Sequence, residues 1–73
     1  MKVAIILANG FEEIEAVSLI DILRRAEIEA VSMGLDKKCV CGAHGVEMIA
    51  DEILDDIKVS EFDMIVLPGG LPG

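Results

Sequence analysis

KVAIILANGFEEIE, residues 2–15, is the stretch that decides the fold. Residues 2–8 are almost continuously apolar, which is typical of a strand covered on both faces in a parallel sheet. Asn9-Gly10 follows as a turn signal that can also cap a helix. Glu12 and Glu13 come next, where the dipole of a starting helix favours anions. A buried strand that turns directly into a helix predicts an α/β protein.

The rest of the chain continues this alternation of strands and helices. We predict a helix over residues 11–26, a strand over 28–34, a hairpin from Cys39–Cys41 and 46–50, helical turns over 51–57 with Asp51 as cap, and a strand over 63–67. This order is the βαβ start of a doubly wound sheet. Residues 1–73 are therefore interpreted as part of one domain, whose remaining strands and helices would cover both sheet faces.

Composition excludes several classes of protein. Apolar residues make up 53% of the chain and the mean hydropathy is +0.59, so the chain is not disordered. A net charge of −8 disfavours binding to nucleic acid or to an anionic membrane. No apolar run approaches the ~20 residues of a membrane span. The apolar N-terminus lacks a cleavage pattern, which favours a cytoplasmic protein.

The two cysteines, Cys39 and Cys41, alternate on one predicted strand, so their thiols share a face. Two thiols are too few for a structural zinc site, and no second pair exists in the sequence. No phosphate-binding glycine pattern is present either. We therefore expect no metal and no cofactor, and we interpret the cysteines as free thiols.

Glu15 is the most unusual side chain of the predicted helix. It shares a helical stripe with apolar residues, namely Leu19, Ile22, Leu23 and Ala26. A carboxyl in apolar surroundings resists ionisation and can serve as an acid or base. The alternative is that Glu15 lies at the edge of the stripe and is solvated. Glu12 and Glu13, by contrast, are expected to face water.

Two glycine-containing loops are the other candidates. Pro68-Gly69-Gly70 follows a buried strand, where glycines let backbone N–H groups turn toward an anion or oxyanion. The alternative is an ordinary turn. His44 lies between Ala43 and Gly45 at the hairpin tip and is interpreted as a solvated turn histidine.

Three segments together resemble the ThiJ/PfpI superfamily, in the branch of the parkinsonism-associated protein deglycase and the bacterial ThiJ-like proteins. They are KVAIILANGFEEIE at 2–15, LRRA at 23–26 and DMIVLPGG at 63–70. The resemblance covers the whole chain. It implies a flavodoxin-like, class I glutamine amidotransferase-like sandwich of about twice this length, usually a homodimer, of which this chain is the N-terminal half.

The resemblance also implies a cofactor-independent cysteine enzyme. Glu15 matches the family's protonated helix glutamate, which hydrogen-bonds the nucleophilic cysteine, and Gly70 matches the glycine whose N–H lines the oxyanion pocket. That cysteine lies beyond residue 73 in the family pattern, and neither Cys39 nor Cys41 replaces it. Glu27 stands where the family often has glycine, which puts the helix C-cap in question.

Several functions are compatible with such a protein. The resemblance implies action on reactive carbonyls, of the glyoxalase or deglycase type, or on peptides. A rival interpretation is a non-catalytic oxidative-stress sensor or chaperone whose association depends on cysteine oxidation. A third is a flavodoxin-like domain that binds a small molecule without covalent chemistry, which the glycine pattern does not support.

Overall fold

The fold was analysed in a computed structural model, which describes residues 1–54 and 59–69. Its elements in chain order are β1 (Lys2–Leu7), α1 (Glu13–Arg25), β2 (Glu29–Gly34), β3 (Cys39–Cys41), β4 (Glu47–Ile49), β5 (Glu52–Ile53), a 3-10 turn (Val59–Glu61) and β6 (Met64–Val66). The prediction of an α/β protein with a parallel sheet is confirmed.

The main sheet has four parallel strands in the order β5-β2-β1-β6. β1 is central: Val3 pairs with Ala30 of β2 on one side and with Met64 of β6 on the other. The chain first builds the sheet outward from β1 through β2 and β5, and then returns to the opposite side of β1 with β6. The carboxyl ends of β1 and β6 therefore flank the point where strand order reverses, which is where open α/β sheets bind ligands.

The core lies on both faces of β1 because successive side chains of a strand point to opposite faces. On one face, Val3, Ile5 and Leu7 are buried against Ala16 of α1. Leu19, Ile20 and Leu23 of the same helix are partly buried there, so the face of α1 that packs on the sheet is apolar. On the other face lies a smaller buried cluster, formed by Ala4, Ile6 and Met33 with partial cover from Val31, Leu54 and Phe62.

The helix begins two residues later than predicted, at Glu13. Phe11 is 3% exposed and belongs to the preceding loop, where it forms a β-bridge with Gly42. Asn9 does not cap the helix; its side-chain oxygen accepts a weak hydrogen bond from the N–H of Cys41 at 3.4 Å. The N-cap position belongs to Glu12, without a side-chain capping bond.

The helix ends in a complete Schellman motif. The N–H of Ile28 donates to the carbonyl of Leu23 at 2.9 Å, and the N–H of Glu27 donates to the carbonyl of Arg24 at 3.0 Å. Glu27 has a φ of +62°, in the left-handed region that favours glycine. The cap thus forms with glutamate at the position where glycine was expected.

The predicted helical turns over residues 51–57 are wrong in their first part. Glu52 and Ile53 form β5, a short strand parallel to β2, with Met33 opposite Glu52. The reason lies in Asp51, whose carboxylate does not cap a helix. Its Oδ2 accepts hydrogen bonds from the N–H of Ser32 at 3.0 Å and from Arg24 Nη2 at 2.8 Å. These contacts hold the chain alongside β2; residues 55–58 lie outside the described residues.

The predicted hairpin is confirmed. β3 and β4 pair antiparallel in a separate two-stranded sheet, with Cys39 opposite Ile49 and Cys41 opposite Glu47. The N–H of Gly10 donates to the carbonyl of Cys41 at 2.8 Å, which joins the hairpin to the loop after β1. Among the described helices none is long and apolar enough to cross a bilayer.

Candidate functional site

The loop after β6 is joined to the start of α1 at the carboxyl ends of the central strands. The N–H of Glu12 donates to the carbonyl of Gly69 at 2.6 Å. In return, the N–H of Gly69 donates to Oε1 of Glu15 at 3.0 Å. Glu15 and the Pro-Gly loop, which the sequence singled out separately, are therefore in direct contact.

A small cleft opens beside this contact. It has a volume of about 160 Å³ and lies between the loop after β1 and the loop after β6. Its walls include Asn9, Phe11, Leu67 and Pro68. Glycine at position 69 is required by the approach of Glu15, because a Cβ there would lie 2.5 Å from Oε1.

Glu15 is exposed among the described residues, and its predicted burial concerns the complete domain. The side of α1 that packs on the sheet is centred on Ala16, one residue further along, whereas Ile22 on the Glu15 stripe is 63% exposed. Gly70, the second predicted site residue, lies outside the described residues. The roles of Glu15 and Gly70 remain predictions.

Glu13 is the residue that sequence reasoning missed. It was expected to face water but is only 8% exposed. Its Oε2 accepts hydrogen bonds from the N–H of His44 at 2.6 Å and of Val46 at 3.2 Å. Its Oε1 lies 2.9 Å from Nδ1 of His44. Gly42 leaves the space for this carboxyl, since a Cβ there would lie 2.5 Å from Cδ of Glu13.

These contacts govern the charge of both partners. Desolvation acts to raise the pKa of Glu13, but hydrogen bonds from the His44 side chain and from backbone N–H groups outweigh it and lower the pKa to about 2. The hydrogen bond to Glu13 and the nearby negative charges raise the pKa of His44 above its ordinary value. His44 lies in the hairpin turn with a side chain that is 72% exposed, as interpreted from the sequence, and it is in addition an ion-pair partner of Glu13 in α1.

Glu12, Glu13 and His44 offer donor atoms within 4.8 Å of one another, which is close enough to consider a metal ion. Oε2 of Glu13 is already occupied by two backbone N–H groups. Both glutamates also lie at the positive end of the dipole of α1, which disfavours a cation. The three side chains are therefore best described as an ion-pair network.

Cys39 and Cys41 are free thiols in this structure. Both lie exposed on β3. The thiol of Cys39 donates to Oε1 of Glu47 at 3.1 Å, and this hydrogen bond raises the thiol pKa. A reactive cysteine needs the opposite shift, since the thiolate is the nucleophile. The pKa shift of Cys39 is thus opposite to the one that activates a nucleophile.

Comparison with known proteins agrees with the fold and the segments described above. The sequence profile of the DJ-1/PfpI family matches residues 1–73. The chain is 47% identical to protein DJ-1 homolog B of Arabidopsis thaliana, over 99% of this chain and 17% of that protein. It is 33% identical to deglycase PfpI of Pyrococcus furiosus, over 96% of this chain and 42% of that protein.

Solved structures show the same likeness. Oxidized DJ-1 of Toxoplasma gondii superposes with a TM-score of 0.91 at 42% identity, covering 99% of this chain and 40% of that one. Drosophila melanogaster DJ-1beta superposes with a TM-score of 0.89 at 38% identity, covering 97% of this chain and 40% of that one. The chain thus spans less than half the length of these relatives. By its profile, its sequence and its fold, the chain belongs to the DJ-1/PfpI family.

Proposed function

We propose that the complete protein is a cofactor-independent cysteine enzyme that acts on small reactive carbonyls, with Glu15 as its acid/base residue. The observation that carries this proposal is the position of Glu15. Its carboxylate lies at the carboxyl ends of parallel strands β1 and β6, in contact with Gly69 of the loop that borders the cleft. The family relative from Pyrococcus furiosus that is named a deglycase supports this class of substrate. Peptides are the second substrate class.

The chemistry follows from the groups that this chain would contribute. A cysteine thiolate from the remainder of the domain attacks the aldehyde carbon of a dicarbonyl such as methylglyoxal. Glu15 takes the proton from that carbon and returns it to the adjacent one, which leaves a thioester that water hydrolyses to lactate. The N–H of Gly70 is proposed to donate to the oxyanion that develops during the attack.

The test uses the full-length protein with Glu15 replaced by glutamine. Glu15→Gln keeps the shape of the side chain and a hydrogen-bond donor but cannot exchange a proton. We expect it to abolish conversion of methylglyoxal while the far-ultraviolet circular dichroism stays unchanged. Glu29→Gln is the matched control, because the Glu29 side chain is 65% exposed and makes only a 3.9 Å ion pair with Lys2. Wild-type turnover in the Glu15→Gln protein would overturn the proposal.

The exposed apolar surface supports the alternative function of an oxidative-stress sensor or chaperone. Ile14 of α1 and Ile49 of β4 are 75% and 78% exposed. Such side chains suit association with another protein. Kinetics with glyoxals separate the two functions, since a non-catalytic sensor shows no turnover with any of them.

The same surface supports the proposed partners. We infer that Met64 and Ile65 of β6, each about half exposed, pack against the remainder of the domain. We infer that α1 contributes to a cytoplasmic homodimer through Ile14 and Ile22. In such a dimer Arg24 or Arg25 would lie at or near the partner chain; the Arg24 guanidinium also donates to the carbonyl of Ala30 and to Asp51 within its own chain. A strict monomer in light scattering of the full-length protein at micromolar concentration would contradict the homodimer.

A further inference from the structure

The backbone N–H and carbonyl of Gly69 both form hydrogen bonds at the start of α1. Its N–H donates to Oε1 of Glu15 at 3.0 Å, and the carbonyl of the same residue accepts from the N–H of Glu12 at 2.6 Å. The hydrogen bond from Glu12 connects the loop to the start of the helix, so the N–H of Gly69 has a fixed position relative to Glu15. Gly69 and Glu15, which lie 54 positions apart in the sequence, are thereby held in a fixed arrangement.

We propose that Gly69 is a positioning residue that decides which oxygen of Glu15 handles the proton. This inference rests on the proposed function, in which Glu15 is the acid/base group. A protonated carboxyl has one O–H donor and one carbonyl-type oxygen. An oxygen that accepts a backbone N–H is held as the carbonyl-type oxygen, because the proton and the N–H cannot share it favourably. Oε1 is that oxygen, so Oε2 gives and receives the catalytic proton.

The absence of a side chain at position 69 is what permits this contact. A Cβ on Gly69 would lie 2.5 Å from Oε1 and 3.2 Å from both Cδ and Oε2 of Glu15. Among the described glycines a positive φ occurs at Gly10 and Gly45, so alanine can adopt the backbone conformation of Gly69. The group that must move is the end of a flexible side chain, which yields without disturbing the backbone. Gly69→Ala therefore displaces the carboxyl of Glu15 and leaves the fold in place.

The experiment compares Gly69→Ala and Glu15→Gln in the full-length protein with methylglyoxal as substrate. We expect Gly69→Ala to lower kcat by roughly 10²-fold, the loss that a misplacement of about 1 Å causes. KM and the melting temperature should stay at the wild-type values, because substrate binding and the fold do not depend on the proton-carrying oxygen. A purely structural role would instead lower the melting temperature and leave kcat per folded molecule unchanged.

A spectroscopic readout tests the contact without relying on activity. In the wild-type full-length protein, the Gly69 amide proton should resonate downfield, as expected for a donor to a carboxylate, and should move upfield in Glu15→Ala. A Gly69 amide that does not respond to Glu15→Ala overturns the inference even if Gly69→Ala fails to fold.

The two proposals fail in different ways. Wild-type turnover in Glu15→Gln removes the acid/base role and the positioning role with it. An inactive Glu15→Gln together with wild-type kcat in Gly69→Ala overturns the positioning role alone and leaves the proposed function standing.

Discussion

The carboxylate of Glu13 is held by His44, a residue 31 positions later, through both the backbone N–H and the imidazole of that histidine. Because an ionised carboxylate can only accept hydrogen bonds, Nδ1 of the imidazole carries a proton in this contact. The pair fastens the tip of the β3–β4 hairpin to the first turn of α1. The hairpin otherwise belongs to a sheet of its own, so this contact helps to fix its place beside the main sheet.

The stability that this pair supplies should depend on pH. The pKa of Glu13 falls from 4.5 to about 2 on folding, so its contribution is present above pH 4.5 and is lost as pH falls through about 2. The pKa of His44 rises from 6.5, so its contribution is complete below pH 6.5 and is lost as pH rises through the raised value. We expect the pair to stabilise the fold most between these limits.

Urea denaturation of wild type and His44→Ala across pH measures this effect. The difference in unfolding free energy should be largest near pH 5.5 and should shrink on both sides of that value. Glu29→Gln serves as the control, with a difference from wild type that stays small throughout. A pH-independent difference between wild type and His44→Ala would show that the ion pair does not contribute.

Glu27→Gly should stabilise the protein. A non-glycine residue in the left-handed region costs about 1–2 kcal/mol, and Glu27 has a φ of +62°. Part of this gain is offset because glycine loses more backbone freedom on folding, so we expect about 1 kcal/mol. Thermal unfolding of the full-length protein measures it. Glu27→Ala is the matched control, since it removes the charge and keeps the strain, and an equal gain in that variant would assign the effect to charge.

Gly34→Ala should be the most damaging glycine substitution among the positions considered. A Cβ on Gly34 would overlap the carbonyl oxygen of Lys37 and lie 3.3 Å from Cγ2 of Val40. The obstacle is backbone and cannot rotate away, so we expect a loss of about 3 kcal/mol or failure to fold. Gly45→Ala is the comparison: no atom lies within 4 Å of its Cβ, and its φ of +83° limits the cost to about 1–2 kcal/mol. Equal losses in soluble yield and melting temperature would contradict this ranking.

Asp51→Ala should loosen β5 from β2. The carboxylate accepts hydrogen bonds from the N–H and the hydroxyl of Ser32, which is 5% exposed, and from Arg24. Losing the acceptor of buried donors costs about 1–3 kcal/mol, and the partial exposure of Asp51 places the expected loss near the lower end. Hydrogen exchange reports it directly. The Ser32 amide should exchange faster in Asp51→Ala, whereas the amide of Ile5 in β1 should keep its protection.

Local sequence patterns predicted the central elements of this fold because the apolar residues of each element follow the spacing of a strand or of a helix. The apolar run of β1 and the Ala16 face of α1 can be recognised in the sequence without knowing which elements pack against them. β5 was missed since two residues are too few to show a period, and its place depends on Asp51 reaching Ser32. Glu13 was missed for a related reason: an acidic residue in a first helical turn suits the dipole whether it is buried or solvated. Its burial is decided by a hairpin far along the chain.

For the site, too, local features could be predicted from the sequence, whereas contacts between distant residues could not. The sequence singled out Glu15 and the Pro-Gly-Gly loop independently, since each lies at the end of a recognisable element. Their contact through Gly69 could not be read from the sequence, because it depends on β6 pairing with β1. Glu15 is exposed among the described residues because the side of α1 that packs on the sheet is centred on Ala16, and its burial in the complete domain stays a prediction.

The central place of β1 has a consequence for synthesis on the ribosome. The N–H of Lys2 donates to the side chain of Asp63, a residue 61 positions later, so β1 is completed by a strand that is made long after it. At translation rates of about 5–20 residues per second, β1 waits roughly 3–12 s before β6 emerges. A hairpin such as β3–β4 forms within about 10 μs of leaving the exit tunnel. During this interval the nascent chain presents an apolar strand with an open edge, and it is in this window that a ribosome-associated chaperone would have its greatest effect on yield.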